Sequence, residues 1–142
     1  MDRELLKQLI REVLEEETKC PVKLVRLPQI SVSEKDRLDT GDANHRVYTR
    51  DVVSLEESPR LGCGIMEMER TTFPWTLDYD EIDYVISGQL TVEFDGHRMT
   101  AGPGEMLLIP KGCSICFSVE DHARFLYVTY PANWQAQCKG TP

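Results

Sequence analysis

The chain has 142 residues, enough for one domain with a sizeable core and no need of disulfides or metals to hold it. Lys and Arg number 16 against 24 Asp and Glu, a formal charge of -8. That excludes nonspecific binding to nucleic acid or to an anionic membrane, which depends on basic patches. No apolar run reaches transmembrane length. The five cysteines are an odd count with no secretory signal before them, which fits a reduced, cytoplasmic setting.

Residues 2–17, DRELLKQLIREVLEEE, predict an amphipathic helix, and residues 1–20 form a first segment. Leu5, Leu6, Leu9, Ile10, Val13 and Leu14 fall on one stripe at helical spacing, with charges on the opposite face. Pro21 bars continuation. Glu15, Glu16 and Glu17 crowd the C-terminal end, where the helix dipole disfavours anions. A helix this short is marginal alone in water, so its stripe needs cover. Its own domain, a sister subunit, or a docking partner could each supply it.

Residues 21–44 predict a short strand, Val22–Leu27 ending at Pro28, and then a polar, turn-rich linker. A β domain occupies residues 45–142. Its first strands are His45–Ser54 and Leu61–Glu69, the latter with Gly62 and Gly64 marking a bulge or a close backbone approach. Strands then recur at Thr72–Leu77, Glu81–Ser87, Gln89–Phe94, His97–Ala101, Glu105–Ile109, Ser114–Val119 and Arg124–Tyr130. That rhythm predicts an all-β sandwich or barrel. Asp95-Gly96 is the strongest hairpin signal, because a type I′ turn demands positive φ. Trp134 in the tail is expected to cover a hydrophobic edge.

Six residues separate Glu81 from Gly88, and five separate Gly104 from Pro110, with Gly112 one residue further on. This spacing resembles the two cupin motifs over roughly residues 45–130. The stretches FPWTLDYDEIDYVISGQLTV, IPKGCSICF and FLYVTYPANW resemble the ethanolamine-utilisation protein Q (EutQ) family, a cupin branch associated with bacterial microcompartments. The resemblance implies a double-stranded β-helix, or jelly-roll, barrel that is often dimeric. It also implies acetate kinase-like phosphoryl transfer between ATP and acetate, in the cytoplasm with a microcompartment. The family is commonly longer at its N-terminus, where this chain has a short helix.

A metal-dependent cupin needs three His beside its Glu. Here Trp75 and Leu77 stand at the first two His positions and Ile115 at the third. One carboxylate with those side chains cannot hold a first-row transition metal. His45, His97 and His122 share no ligand spacing and are expected to face solvent. Cys113 and Cys116 lie three apart, which on a strand sends them to opposite faces, so ordinary packing is expected rather than redox or zinc chemistry.

What remains is acidic and aromatic. Strand parity places Glu81 and Asp83 on one face, about 6–7 Å apart along the backbone. By the cupin analogy that face looks inward. Burial and mutual repulsion should raise a carboxyl pKa, which suits general acid–base work. The same pair could hold Mg²⁺, a hard cation that accepts carboxylates, water and phosphate oxygens. Glu81, Asp83 and Tyr79 are the candidate catalytic residues. Trp75, Asp80, Lys111 and Arg70 are the candidate ligand-binding residues, the two cations standing where they could meet phosphate or serve as plain surface charges. No GxxxxGK[ST] or GxGxxG loop is present to cradle a nucleotide. Two further readings stay open: a noncatalytic adaptor docked through residues 2–17 onto a shell or enzyme partner, with the buried Glu81 a relic of a metal cupin, and a metal-free isomerase or lyase using the same carboxylates.

Overall fold

Two long strands carry the fold, β2 (Gly62–Thr76) and β7 (Ser114–Tyr130). The computed structural model describes residues 2–135, with residues 15–19 by backbone alone. Each long strand runs through a stretch where the sequence predicts two shorter ones. In β2 the corner is a bulge: the register shifts between Glu69 and Thr71, and Arg70 adopts φ 41°. A bulge bends the strand without ending its pairing. The first half of β2 therefore pairs with β1 (Arg46–Asp51) and with the second half of β7. The second half pairs with the start of β7.

Around this frame β7 also pairs with β3 (Asp80–Gly88), and β3 with the short edge strand β6 (Met106–Ile109). Its other end pairs with β4 (Leu90–Phe94), and β4 with β5 (His97–Ala101). Because β2 and β7 belong to both halves, the sheet folds over one core. Phe73, Phe117, Phe125, Val47, Val85 and Leu90 fill it and are fully buried. Burying each such side chain contributes about 1.5–3 kcal/mol. The β4–β5 hairpin closes as its turn residues demand, with Asp95 at φ 48° and Gly96 at φ 78°.

Outside the barrel, residues 22–27 do not form the predicted strand. The backbone there pairs with no strand, and long-range side-chain contacts hold the segment in place instead. Lys23 Nζ donates to the Val52 carbonyl at 3.0 Å and pairs with Glu57. A 3-10 turn follows at Leu27–Gln29. The Arg124 guanidinium donates to the carbonyls of Leu27 and Ile30, each at 2.8 Å, and Arg50 donates to Ser31 at 2.9 Å. The segment is a strap pinned across the sheet.

The helix α1 (Arg3–Lys19) forms as predicted, with Asp2 as N-cap accepting from the Glu4 N–H. Its stripe is not covered by the barrel: Leu5, Leu6, Leu9, Ile10, Val13 and Leu14 are 42–54% exposed.

Two more expectations change. His45 does not face open solvent. It is half-buried, with Nδ1 2.7 Å from Thr40 Oγ1 and its ring 6.1 Å from that of Phe73. Trp134 covers no outer edge; it enters the barrel mouth and is 3% exposed, its ring centroid 5.8 Å from Tyr79, 5.8 Å from Tyr127 and 6.3 Å from Trp75.

Gly62 and Gly64 mark a close approach rather than a bulge, since the register around them is continuous. A Cβ at Gly64 would lie 2.1 Å from Tyr127 Oη and 2.6 Å from the Arg50 carbonyl oxygen. The Tyr127 side chain lies across β2 at that point. Gly64→Ala should therefore destabilise the fold by about 1–3 kcal/mol, as overpacking does. Chemical denaturation of the variant checks this, and an unchanged midpoint would contradict it.

Candidate functional site

β3 alternates, so Glu81, Asp83 and Val85 point inward while Asp80, Ile82 and Tyr84 point out. Parity thus places the two carboxylates where the sequence predicts. Glu81 is 4% exposed and Asp83 is fully buried. Glu81 stands opposite Thr129 of β7, and Asp83 opposite Tyr127.

Four buried oxygens here have no hydrogen-bond partner: Glu81 Oε2, both Asp83 carboxylate oxygens and Thr129 Oγ1. Each such group costs about 1–3 kcal/mol, more for charged groups. In place of a well-formed partner, each carboxyl has the other, close enough for the pair to share a proton. Burial is the main cause of the resulting shifts. It pushes Glu81 up from 4.5 to about 7. Asp83 is held well above the usual carboxylate range by burial and then by the charge of Glu81. Two carboxylates this close cannot both ionise in a dry interior.

Tyr127 stands beside the pair, and a layer of aromatic rings packs onto it. Tyr127 crosses Gly64 and donates its hydroxyl to Asp51 Oδ1, which links the interior to the surface end of β1. Burial, and then Asp51, raise the Tyr127 pKa, so it remains a phenol. Trp75 donates its indole N–H to the Tyr79 hydroxyl at 2.7 Å. Trp134 touches both tyrosines and closes the mouth above.

The structure brings Glu81, Asp83, Tyr79 and Trp75 into one region. It does not bring the other candidates there. Asp80 is exposed, and its carboxylate accepts from the Lys111 backbone N–H at 2.8 Å, tying down the turn after β6. Lys111 is exposed on that turn. Arg70 lies at the β2 corner on the surface, paired with Glu69 at 3.4 Å. Asp51, Tyr127, Thr129 and Trp134 were not legible as site residues. Inward parity along β7 marks Tyr127 and Thr129, but only the pairing with β3 shows that they meet the carboxylates.

At the cupin His positions, Trp75 is half-buried and Leu77 and Ile115 are buried. Among the described residues no three His, Cys, Asp or Glu side chains converge on a common point. Two carboxyls and a hydroxyl with unused lone pairs are oxygen donors, the type that hard cations rather than transition metals take. Cys20, Cys63, Cys113 and Cys116 are free thiols.

The barrel is of the cupin class: it matches a cupin-superfamily protein of Desulfitobacterium hafniense with TM-score 0.54 at 14% identity, over 61% of this chain and 78% of that one. The particular family is defined by sequence. The model for "Ethanolamine utilisation protein EutQ" matches residues 1–136, and the chain belongs to that family. It is 53% identical to "Acetate kinase EutQ" of Clostridioides difficile, over 96% of each chain. It is 35% identical to the protein of the same name from Salmonella typhimurium, covering 93% of this chain but 63% of that longer one. The solved structure of the Clostridium difficile EutQ protein superposes with TM-score 0.81 at 59% identity, over 82% of this chain and 85% of that one.

The raised carboxyl pKa values have a sign. The fold favours the protonated pair, so this contribution to stability is fully present below the ordinary 4.5 and is lost as the pH rises through about 7. The loss for Glu81 is up to about 3 kcal/mol. Urea unfolding across that window should show the wild type losing stability with rising pH relative to Glu81→Gln. Parallel profiles for the two would contradict the assignment.

Proposed function

We propose that the chain is an acetate kinase of ethanolamine utilisation, transferring a phosphoryl group between ATP and acetate, with Glu81 and Asp83 at the working centre. The observation that carries this is the buried carboxyl pair with its unpartnered oxygens. A structural core has no use for such a cost, whereas a site awaiting a cation does. The naming of the Clostridioides difficile relative over nearly its whole length supports the same reading.

Phosphoryl transfer depends mostly on positioning and on neutralising charge. Glu81, Asp83 and Thr129 would hold Mg²⁺, which when bound neutralises phosphate oxygens. The chain's own residues do the rest. Without a cation the pair retains a proton. Trp75, Tyr79, Tyr127 and Trp134 keep water from it, which protects a phosphoryl group from hydrolysis. Glu81 and Asp83 are buried, so access to them needs part of the wall to move; Trp134, packed on Tyr79 and Tyr127, is the part this reading would have withdraw.

The same reading places the protein in the bacterial cytoplasm with a microcompartment. The exposed α1 stripe is then the face for a shell or enzyme partner. A homodimer is supported by Ile82, Tyr84, Met106 and Leu108, which are exposed on the paired strands β3 and β6. No helix among the described residues is long and apolar enough to cross a membrane.

One observation favours a second reading. Trp134 fills the barrel mouth, as a closed, noncatalytic adaptor would allow. The test is acetyl phosphate formation from ATP, acetate and Mg²⁺. Under the kinase reading, Glu81→Gln and Asp83→Asn each lower turnover by about a hundredfold with the fold intact. The adaptor reading predicts no turnover in the wild type and a folded barrel after removal of residues 1–20.

A further inference from the structure

The largest cleft among those described on the surface, about 760 Å³, lies at the barrel mouth beside the segment 35–41 that precedes β1. Residues 35–41 form one wall, and Trp75, Thr76 and Trp134 form the other. Neither Glu81 nor Asp83 lines it. Acetate is far too small to fill such a volume; a nucleotide-sized ligand is not.

We infer that this cleft is the nucleotide site, taking a purine nucleoside di- or triphosphate with its base against Trp75. The inference rests on the kinase reading and adds where the nucleotide sits. Three observations support it. First, Trp75 is half-buried and braced, its indole N–H donating to Tyr79 Oη at 2.7 Å and its ring 6.3 Å from that of Trp134. A braced indole is a ready platform for a base, since every base presents a π-face to stack.

Second, the facing wall carries Lys35 and Arg37. Arg37 is already engaged by the His45 carbonyl and Glu34. Lys35 has no ion-pair partner among the described residues, and its charge is available for phosphate. Asp36 and Asp39 line the same wall; their carboxylates accept from the Ser33 N–H at 2.9 Å and the Gly41 N–H at 3.0 Å, which orients them and leaves their charge.

Third, the cleft is one layer of rings from the carboxyl pair. Trp134 lines it and touches Tyr127, and Tyr127 stands opposite Asp83 in the β3–β7 register. A base on Trp75 leaves the phosphate chain to face Lys35 on the opposite wall.

The test is calorimetric titration of the full chain with ADP, with adenosine alongside and acetyl phosphate formation measured on the same preparations. Trp75→Ala should weaken ADP and adenosine at least tenfold, while Trp75→Phe keeps both within about threefold, since stacking tolerates any aromatic face. Lys35→Glu, an exposed change that leaves the fold alone, should weaken ADP several-fold and leave adenosine unchanged. ADP binding unaffected by Trp75→Ala and Lys35→Glu, or absent in the wild type at millimolar concentration, overturns the inference. ADP binding with this pattern but no acetyl phosphate from the wild type would sustain the site and overturn the kinase reading instead. Turnover that survives both variants would sustain the kinase and overturn the site.

Discussion

Two carboxyl groups two residues apart, turned into the interior of a small barrel, set the terms for everything around them. Charge in a dry interior is costly, so the pair exists there only by holding a proton or by meeting a cation. Burial moves Glu81 to about 7 and Asp83 higher than its usual range, and it leaves their oxygens without partners. The aromatic wall maintains that dryness. Gly62 and Gly64 make the wall possible, because side chains at those positions would collide with Thr129 and Tyr127. A cluster of unmet polar groups in an otherwise well-packed core is a feature that selection for stability alone would remove.

Some of this could be read from the residues. The inward parity of Glu81, Asp83 and Val85 follows from a period of two, and it holds in β3. The β4–β5 hairpin follows from Asp95-Gly96. The resemblance of residues around Glu81 and Gly112 to a cupin of the EutQ family also stood, now supported over residues 1–136. What could not be read was nonlocal or lacked a punctuating residue. β2 turns its corner on Arg70, a residue with no turn signature, so the strand looked like two. The strap over residues 22–31 is fixed by Arg124 and Arg50, far along the chain, and has no periodicity of its own. Thr129, Tyr127 and Asp51 join the carboxylates only through strand register. Lys111, Arg70 and Asp80 looked like ligand residues because they flank the motif, yet their strands aim them at solvent or at a neighbouring turn.

The barrel and its attachments divide the labour. The barrel holds the carboxyl pair on the stretch Glu81–Tyr84 of β3, which is paired on both sides. The segment 35–41 and Trp134, outside the main strands, line the two walls of the cleft beside it. Chemistry that needs a closed, dry site and also an entrance is served by this arrangement. The helix α1, with its stripe exposed, takes no part in the site and is free to serve another surface.

Glu81 and Asp83 should titrate as one coupled, buried pair. The direct measurement is carboxyl ¹³C NMR of protein labelled at Glu and Asp, followed through a pH titration with and without Mg²⁺, the signals assigned with Glu81→Gln and Asp83→Asn. One carboxyl of the pair should still be protonated near pH 7, as burial requires. Mg²⁺ should drive off that proton and shift both signals. Two carboxyls that each ionise at their ordinary 4.5 and 3.8, indifferent to Mg²⁺, would contradict it.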